Sequence, residues 1–451
     1  MTQDPLEVVA ADELTAGIPA RVELGTPSAV AVAGPISSPF AIRDYRVIAL
    51  GEGVSALGDA VTFTALPLLV LALTGSGTVM GIVAALQTLP DLIIGLPAGA
   101  LADRWDRRRM MIGADLGRAV LTALIPLSAI AGAPTIAVIL LVVAPINALR
   151  VLFMAAWTAA IPRLVGQELI GPASSYMEAI FSLGFIVGPG LAGLLVGVIG
   201  APATLAIDAV SFVVSAAALL LVRTPLHGER ATEEQRLAAE IRAGLRFVRD
   251  HRLLRSTVAY WGAISVLTAG LVPALTFLLE AERGEGPDAF GLVLSAYSLG
   301  TLAGALIGAR LTRGNLGILL IGGGVVIGSL IVTITFVVPP EAVAAVSFVA
   351  GVANSLVLVS YVTIRASTTP NELLGRVGAT TRMISVGLAP LGAAIAGILL
   401  DAVGGASTMR AMGIGLVVAA VGAGLTPTLR SARAASVAGA AGPGDAAQAA
   451  G

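Results

Sequence analysis

Twelve long apolar runs leave this chain few folds to choose from. They fall at about 47–72, 79–102, 110–131, 135–160, 175–199, 203–222, 256–279, 289–311, 315–337, 341–364, 378–401 and 406–428. A helix needs about 20 mostly apolar residues to cross the hydrocarbon of a bilayer. Inside that layer every backbone N–H and C=O must be satisfied by the protein, so only helices and closed barrels span it. These runs are too long, and too rich in Ala and Leu, for strands. Of the 451 residues, 56% are hydrophobic, and mean hydropathy is +0.93, more apolar surface than a soluble domain can hide. The expected fold is an all-α membrane protein with twelve transmembrane helices.

Arginine sets the direction, because the chain contains no lysine. Twelve crossings place both ends on one side. That side receives Arg43, Arg46, Arg104, Arg107 to Arg109, Arg163, the stretch from Arg223 to Arg255, Arg310, Arg313, Arg365, Arg376, Arg430 and Arg433, while the other keeps Arg283 and Arg410. The positive-inside rule then predicts cytoplasmic termini in a multi-pass protein of the cell membrane. Residues 1–44 and 431–451 are small and polar or low in complexity, and read as disordered cytoplasmic tails. The first lacks the apolar core of a cleaved signal peptide. A loop over 224–255 divides the spans six and six, giving bundles at 45–223 and 256–430. Within that loop Leu237, Ile241, Leu245 and Val248 recur at helical spacing with arginines on the other faces. That is the pattern of an amphipathic helix on the inner membrane surface or of a soluble linker helix.

Several functions are excluded. A net charge of −1 gives no footprint for nucleic acid. Cysteine is absent and the two histidines, His227 and His251, share one charged stretch, so no metal centre is expected. Without lysine there is no phosphate-binding G-x-x-x-x-G-K-[ST] loop, and no cofactor is implied. No membrane run carries a catalytic polar cluster, so the chain does not read as an enzyme.

The two halves look like copies. A shift of 205 residues carries Gly95, Gly99, Ala100, Leu101 and Arg108 onto Gly300, Gly304, Ala305, Leu306 and Arg313. A shift of 204 carries Glu168, Leu169, Gly171, Gly188, Ala192, Gly193 and Gly200 onto Glu372, Leu373, Gly375, Gly392, Ala396, Gly397 and Gly404. Six spans separate the copies, so they run in the same direction. Two parallel six-helix bundles are a transporter architecture, in which the halves rock about a site between them.

Charge is sparse except in the turn after the second span, where six of the seven residues from Asp103 to Arg109 are ionisable. Cytoplasmic anchoring at anionic lipid accounts for the arginines but not for Asp103 or Gly99. The order Gly99, Leu101, Asp103, Arg104, Arg107, Arg108 is the signature G-x-L-A-D-R-x-x-R-R, and on it the chain resembles the major facilitator superfamily from about 45 to 430. That family usually has Gly where this chain has Asp106. The stretches 114–119, 161–176, 184–195 and 207–216 are similar to the macrolide-efflux and siderophore-exporter branch of the drug:proton antiporters. The resemblance implies that the charged turn latches the two bundles on the cytoplasmic side; Asp115 and Arg118, an i, i+3 pair close to the cytoplasm, read as bracing it. Gly184, Gly188 and Ala192 recur at i, i+4, i+8 beside Pro189 and Gly193, a face that lets helices approach closely. The same stretch, Gly184, Gly188, Pro189 and Gly193, resembles the fifth-span motif of proton-exchanging exporters.

An ionisable side chain in a span costs about 2.5 to 3.5 kcal/mol on insertion scales and is functional by default. Asp59, Asp91 and Arg150 lie near the middle of their runs, and Glu52 is two helical turns before Asp59 on nearly the same face. Asp59, with Glu52 or Asp91 and with Arg150 as modulator, is the expected proton-coupling set; a fixed ion-pair network is the alternative. Glu178 sits near the cytoplasmic end of span five and Asp208 near the outer end of span six. Tyr260, Trp261, Thr268, Tyr297, Asn354 and Tyr361, with Glu178, are the candidates for a substrate cavity, or are packing residues. An apolar pocket with a few polar groups suits a drug-like amphipathic solute. The reading is a monomeric secondary transporter whose partners are a small molecule, protons and the bilayer, exporting by alternating access. An uptake symporter or facilitator, or a non-transporting receptor of the same fold, is the alternative.

Overall fold

The computed structural model describes residues 38–226, 237–311, 314–370 and 373–433. Of the tails expected at 1–44 and 431–451, residues 1–37 and 434–451 lie outside the described residues, as do His227, Arg313 and Glu372; residues 39–41 and 43–44 are helical instead.

Among the described residues, eleven helices are long and apolar enough to cross a membrane. The first bundle contains α1 (Arg43–Thr74), α2 (Gly77–Arg104), α3 (Arg107–Ile130), α4 (Thr135–Val165), α5 (Ile170–Ile199) and α6 (Ala201–Leu221). After α7 (Leu237–Asp250), the second bundle contains α8 (Arg252–Thr268), α9 (Leu271–Thr276), α10 (Pro287–Leu311), α11 (Leu316–Ile334), α12 (Pro340–Thr368) and α13 (Leu374–Gly424). The seventh span is α8, α9 and a π-helical end at Phe277–Glu282 run together. Helix α13 has 51 residues, about 76 Å at 1.5 Å per residue and more than twice the hydrocarbon thickness. It turns at Gly404, whose φ of +81° only glycine adopts readily, and so makes two crossings. Twelve crossings result, with boundaries close to the apolar runs.

The loops follow capping chemistry. Ser76 accepts the Val79 N–H at the start of α2. Asp106, where the resembling family has Gly, accepts the Arg109 N–H and caps α3, as a carboxylate at a helix N-terminus should. Large apolar side chains such as Leu50, Ile130, Leu141, Val198 and Leu425 are exposed, the outward faces expected of helices solvated by lipid.

Within the first bundle α1 packs on α5 and α6, α2 on α4, and α3 on α4 and α6; in the second, α10 and α11 pack on α12, and α13 on α8 and α11. The bundles meet along two seams, α2 against α13 and α5 against α10. The internal repeat reappears in three dimensions. Gly188 sits on Ala60 of α1, and its copy Gly392 sits on Val266 of α8. Gly193 faces α10 across one seam, and its copy Gly397 faces α2 across the other.

Helix α7 packs in part against the second bundle. Val248 is buried with Leu254, Val258 and Val377, and Gly244 lies against Arg376 and Thr380 of α13. Leu245 stays exposed, and the side chains of Leu237 and Ile241 lie outside the described set. Part of the apolar stripe is thus covered by protein, because α8 and α13 offer apolar surface right beside the loop.

Candidate functional site

One guanidinium organises the polar interior of the first bundle. Arg118 on α3 pairs through Nη2 with Asp59 on α1 and lies 3.7 Å from Asp115 Oδ1 through Nη1. Its guanidinium stacks 3.9 Å from the ring centroid of Phe212. Asp208 on α6, also within electrostatic reach of Arg118, accepts hydrogen bonds from Thr62 Oγ1 at 2.6 Å and Ser211 Oγ at 3.0 Å. Ser215 Oγ lies 2.8 Å from Glu52 Oε1 and 2.6 Å from Asp115 Oδ2. Glu52, Asp115, Arg118 and Asp208 are buried; Asp59 alone keeps 33% of its side-chain surface accessible.

This arrangement differs from the expected gate motif at Arg118 and from the expected proton-coupling set at Arg150. Arg118 does not brace the charged turn: it lies eleven residues past the start of α3, about 16 Å along the axis, which brings it level with Asp59. Arg150 does not serve Asp59. It binds Asp91 Oδ2 at 2.6 Å, and Arg382 of α13 reaches the same carboxylate at 3.6 Å. Asp91 and Arg150 therefore form a separate site at the junction of the bundles, where Asp91, Arg150, Gly99, Asp103, Met154, Thr158 and Arg382 line a cavity of about 440 Å³. Asp115, Arg118, Asp208, Ser211 and Ser215 complete the polar interior. The spacing Asp208, Ser211, Ser215 at i, i+3, i+7 on α6 was the available signal, since those positions share one helix face.

Among the described residues, Asp103, Arg107 and Arg108 of the charged turn pair within the first bundle and the segment just after it. Asp103 is exposed and lies 3.8 Å from Arg107. Arg107 donates to the carbonyls of Ala102, Ala159 and Leu226, and Arg108 to those of Leu219 and Leu220. Ala102, Leu219 and Leu220 lie in the last turns of α2 and α6, whose carbonyls lack full helical partnering and favour a guanidinium; Ala159 lies inside α4 and Leu226 beyond α6. The turn thus ties the first bundle's own helix ends together, beside an open cavity. Arg104 ends α2 in its last turn, and Leu101 packs against the buried cluster around Met111 and Trp157.

The seams are closed on the face opposite the chain ends. There Asp401 of α13 accepts Gly77 N–H at 2.5 Å, Thr78 N–H at 2.9 Å and Ser76 Oγ–H at 2.8 Å. A methyl group on Gly397 would meet the Gly77 carbonyl at 2.7 Å, so the two backbones are in contact. Along the other seam the Gly190 N–H donates to Ser295 Oγ at 2.8 Å. Gly184 and Gly188 press on Ala56 and Ala60 of α1, while Pro189 and Gly193 lie against Gly291 and Pro287 of α10. The fifth-span motif is therefore a three-helix junction. Toward the chain ends the α2–α13 seam parts: Gly95 and Gly99, and Gly375 and Gly378, face open space.

The expected substrate residues divide. Thr268 lines an inter-bundle pocket of about 250 Å³ with Phe63, Leu66, Gln87, Thr88 and Val272. Trp261 stacks on Tyr361 at 4.3 Å and 9°, and Arg365 lies behind Tyr361 at 5.6 Å. Tyr260 is core instead, buried in the second bundle's main cluster, because its ring fills the space that Gly324 leaves free. Tyr297 and Asn354 are half-buried on α10 and α12, and Glu178 is exposed on α5. His251 caps α8 by accepting the Leu254 N–H at 3.3 Å, and burial holds its imidazole below the usual range. No cluster of metal-ligating side chains occurs among the described residues.

Comparison with known proteins agrees with this architecture. The model of a family described as transmembrane secretion effector matches residues 34–443. The multidrug efflux pump Tap of Mycolicibacterium fortuitum is 31% identical over 387 residues, covering 83% of this chain and 93% of that protein. Macrolide efflux protein A of Streptococcus pyogenes is 25% identical over 373 residues, covering 80% and 90%. Among solved structures, a bacterial homologue of the human lysosomal transporter Spinster, inward-facing and unoccupied, superposes with a TM-score of 0.69 at 13% identity, covering 86% of this chain and 96% of that one. The nucleoside transporter NupG superposes with a TM-score of 0.67 at 13% identity, covering 85% and 98%. The chain is a multi-pass membrane transporter, not an enzyme, and it belongs to the transmembrane secretion effector family of the major facilitator superfamily.

Proposed function

We propose that the protein exports small amphipathic, drug-like molecules from the cell in exchange for protons, acting as a single chain in the cell membrane with both termini in the cytoplasm. The observation that carries proton exchange is the imbalance around Arg118. Glu52, Asp59, Asp115 and Asp208 gather about this one guanidinium. Fully ionised, the buried members Glu52, Asp115 and Asp208 would outnumber Arg118 by two negative charges, with Asp59 adding a third, which a low-dielectric interior does not hold. Protons therefore occupy part of the cluster, and Asp59 is the member that solvent reaches. The conformation suits a loading state: the seams are closed opposite the chain ends, and the 440 Å³ cavity opens on the side of the ends. An amphipathic molecule entering there meets the apolar pocket of Phe63, Leu66 and Thr268, which Gln87 and Thr88 make selectively polar. The names of the relatives, multidrug and macrolide efflux pumps, support the same substrate class.

The test is a panel of macrolides and cationic dyes offered to purified protein in liposomes, with a pH gradient imposed across the membrane. Export predicts drug movement opposite to the proton flux and its collapse on addition of a protonophore. Drug movement in the same direction as protons would make the protein a symporter, and drug movement indifferent to pH would remove proton exchange.

A further inference from the structure

The hydroxyl of Ser215 sits between two carboxyl groups from different helices. Ser215 Oγ is 2.8 Å from Glu52 Oε1 on α1 and 2.6 Å from Asp115 Oδ2 on α3. All three side chains are buried. Both separations are hydrogen-bond lengths, yet a serine hydroxyl carries one hydrogen. It can donate to one carboxylate only. The second contact then needs a hydrogen from the other side, on a carboxyl that donates to the serine oxygen. With both acids ionised, a carboxylate oxygen and the serine lone pairs would face each other with nothing between them.

We infer that Glu52 and Asp115 share one proton through Ser215, and that Ser215 relays it between them. This inference rests on the proton-exchange reading. The step balances within the triad. In one arrangement the Asp115 O–H donates to Ser215 Oγ, whose own hydrogen points to the Glu52 carboxylate. The Asp115 proton moves to Oγ as the serine hydrogen moves to Glu52. One O–H bond breaks and one forms at Oγ, so the serine is unchanged, Asp115 becomes a carboxylate and Glu52 a carboxylic acid. No other reactant is needed.

A second observation says what the relay controls. Asp115 Oδ1 and Arg118 Nε are both buried and have no hydrogen-bond partner, although Asp115 Oδ1 lies only 3.7 Å from Arg118 Nη1. Arg118 is committed to Asp59 instead. When the proton leaves Asp115, its carboxylate gains a full charge and competes for Arg118. That loosens Asp59, the member of the cluster with accessible surface, which can then take up a proton. The charged groups facing the bridge are Asp59 from α1, Arg118 from α3 and, through Arg118, Asp208 from α6. Ser215 is thus a positioning residue whose hydroxyl links the buried proton to the choice Arg118 makes between two acids.

Two measurements on the reconstituted full-length protein test this. Infrared difference spectra at neutral pH should contain a protonated-carboxyl carbonyl band that disappears in Glu52→Gln or in Asp115→Asn, and that shifts in Ser215→Ala but not in Ser215→Thr. A band absent from the wild type, or unchanged in both acid variants, overturns the shared proton. In liposomes, Ser215→Ala should slow drug efflux driven by a pH gradient by about 10²-fold, a common loss for a removed proton-transfer group. Drug-for-drug exchange at equal pH should persist, and Ser215→Thr should restore driven efflux. A purely structural role would impair exchange and driven efflux together. Wild-type driven efflux in Ser215→Ala overturns the relay. A wild type that ignores the pH gradient overturns proton exchange and the relay with it, while the infrared band still judges the shared proton separately. Should Ser215→Ala not fold, loss of driven efflux in Ser215→Thr overturns the relay.

Discussion

The carboxylate of Asp401 accepts the backbone N–H of Gly77 at 2.5 Å, and the two residues belong to different bundles. Thr78 N–H and the Ser76 hydroxyl donate to the same carboxylate. The first turn of a helix has N–H groups without helical partners, and its positive end favours an anion. A side chain from α13 therefore finishes α2. The contact lies on the face opposite the chain ends, so it must break whenever that face opens. It is a two-state element of the kind alternating access requires.

Replacing Asp401 by Ala should favour the state open on that face. Hydrogen bonds to a charged group are worth about 1.5 to 3 kcal/mol, so a net loss of about 2 kcal/mol shifts the equilibrium roughly 30-fold. Pulsed electron-spin distances between labels on α2 and α13 near residues 78 and 402 would report this as a gain of the longer distance. An unchanged distribution would mean that the carboxylate does not hold the face shut.

The α2–α13 seam gives a paired prediction. A side chain at Gly397 would strike the backbone of Gly77 and Gly81, whereas a methyl on Gly99 has nothing within 4 Å. Gly397→Val should therefore destabilise the present conformation and raise the accessibility of engineered cysteines on the face opposite the termini. Gly99→Ala should leave this conformation intact and penalise only the one in which the α2 and α13 ends near Gly99 and Gly378 come together. Thiol labelling from the two sides of the membrane separates the outcomes; equal effects from both variants would contradict a seam that closes at one end and opens at the other.

Arg118 should matter more for stability than any single acid near it. Removing one partner of a buried ion pair costs about 3–5 kcal/mol, and Arg118→Ala strands Asp59, Asp115 and Asp208 at once. Thermal unfolding in detergent should show a large fall in Tm, and adding Asp208→Asn should recover part of it by removing one stranded charge. Additive losses in the double variant would separate Asp208 from the Arg118 network.

Hydrophobic run length and arginine asymmetry made the twelve crossings legible in the sequence, and the constant offset of Gly193 to Gly397 marked the repeat that now faces the two seams. Partner choice was not legible. The sequence makes Asp115 and Arg118 neighbours at i, i+3 and suggests that they serve the nearby turn, yet Arg118 reaches Asp59 because α1, α3 and α6 pack side by side. Arg150 and Asp59 are both central along their helices, but depth along an axis says nothing about rotation around it, and α4 turns Arg150 to α2. Tyr260 and Trp261 are adjacent in sequence and about 100° apart around α8, so one is core and the other stacks on Tyr361. Asp103 carries the family signature, yet its ion partner among the described residues is Arg107 of its own turn.

The central claim is that the Arg118 cluster exchanges protons as the bundles move, with Asp59 as the acid that meets solvent. Asp59→Asn in liposomes measures it most directly, by comparing drug efflux driven by a pH gradient with drug-for-drug exchange at equal pH. The account predicts that driven efflux falls by about 10²-fold or more while exchange continues. Efflux driven at the wild-type rate, with protons still moved against drug, would contradict it.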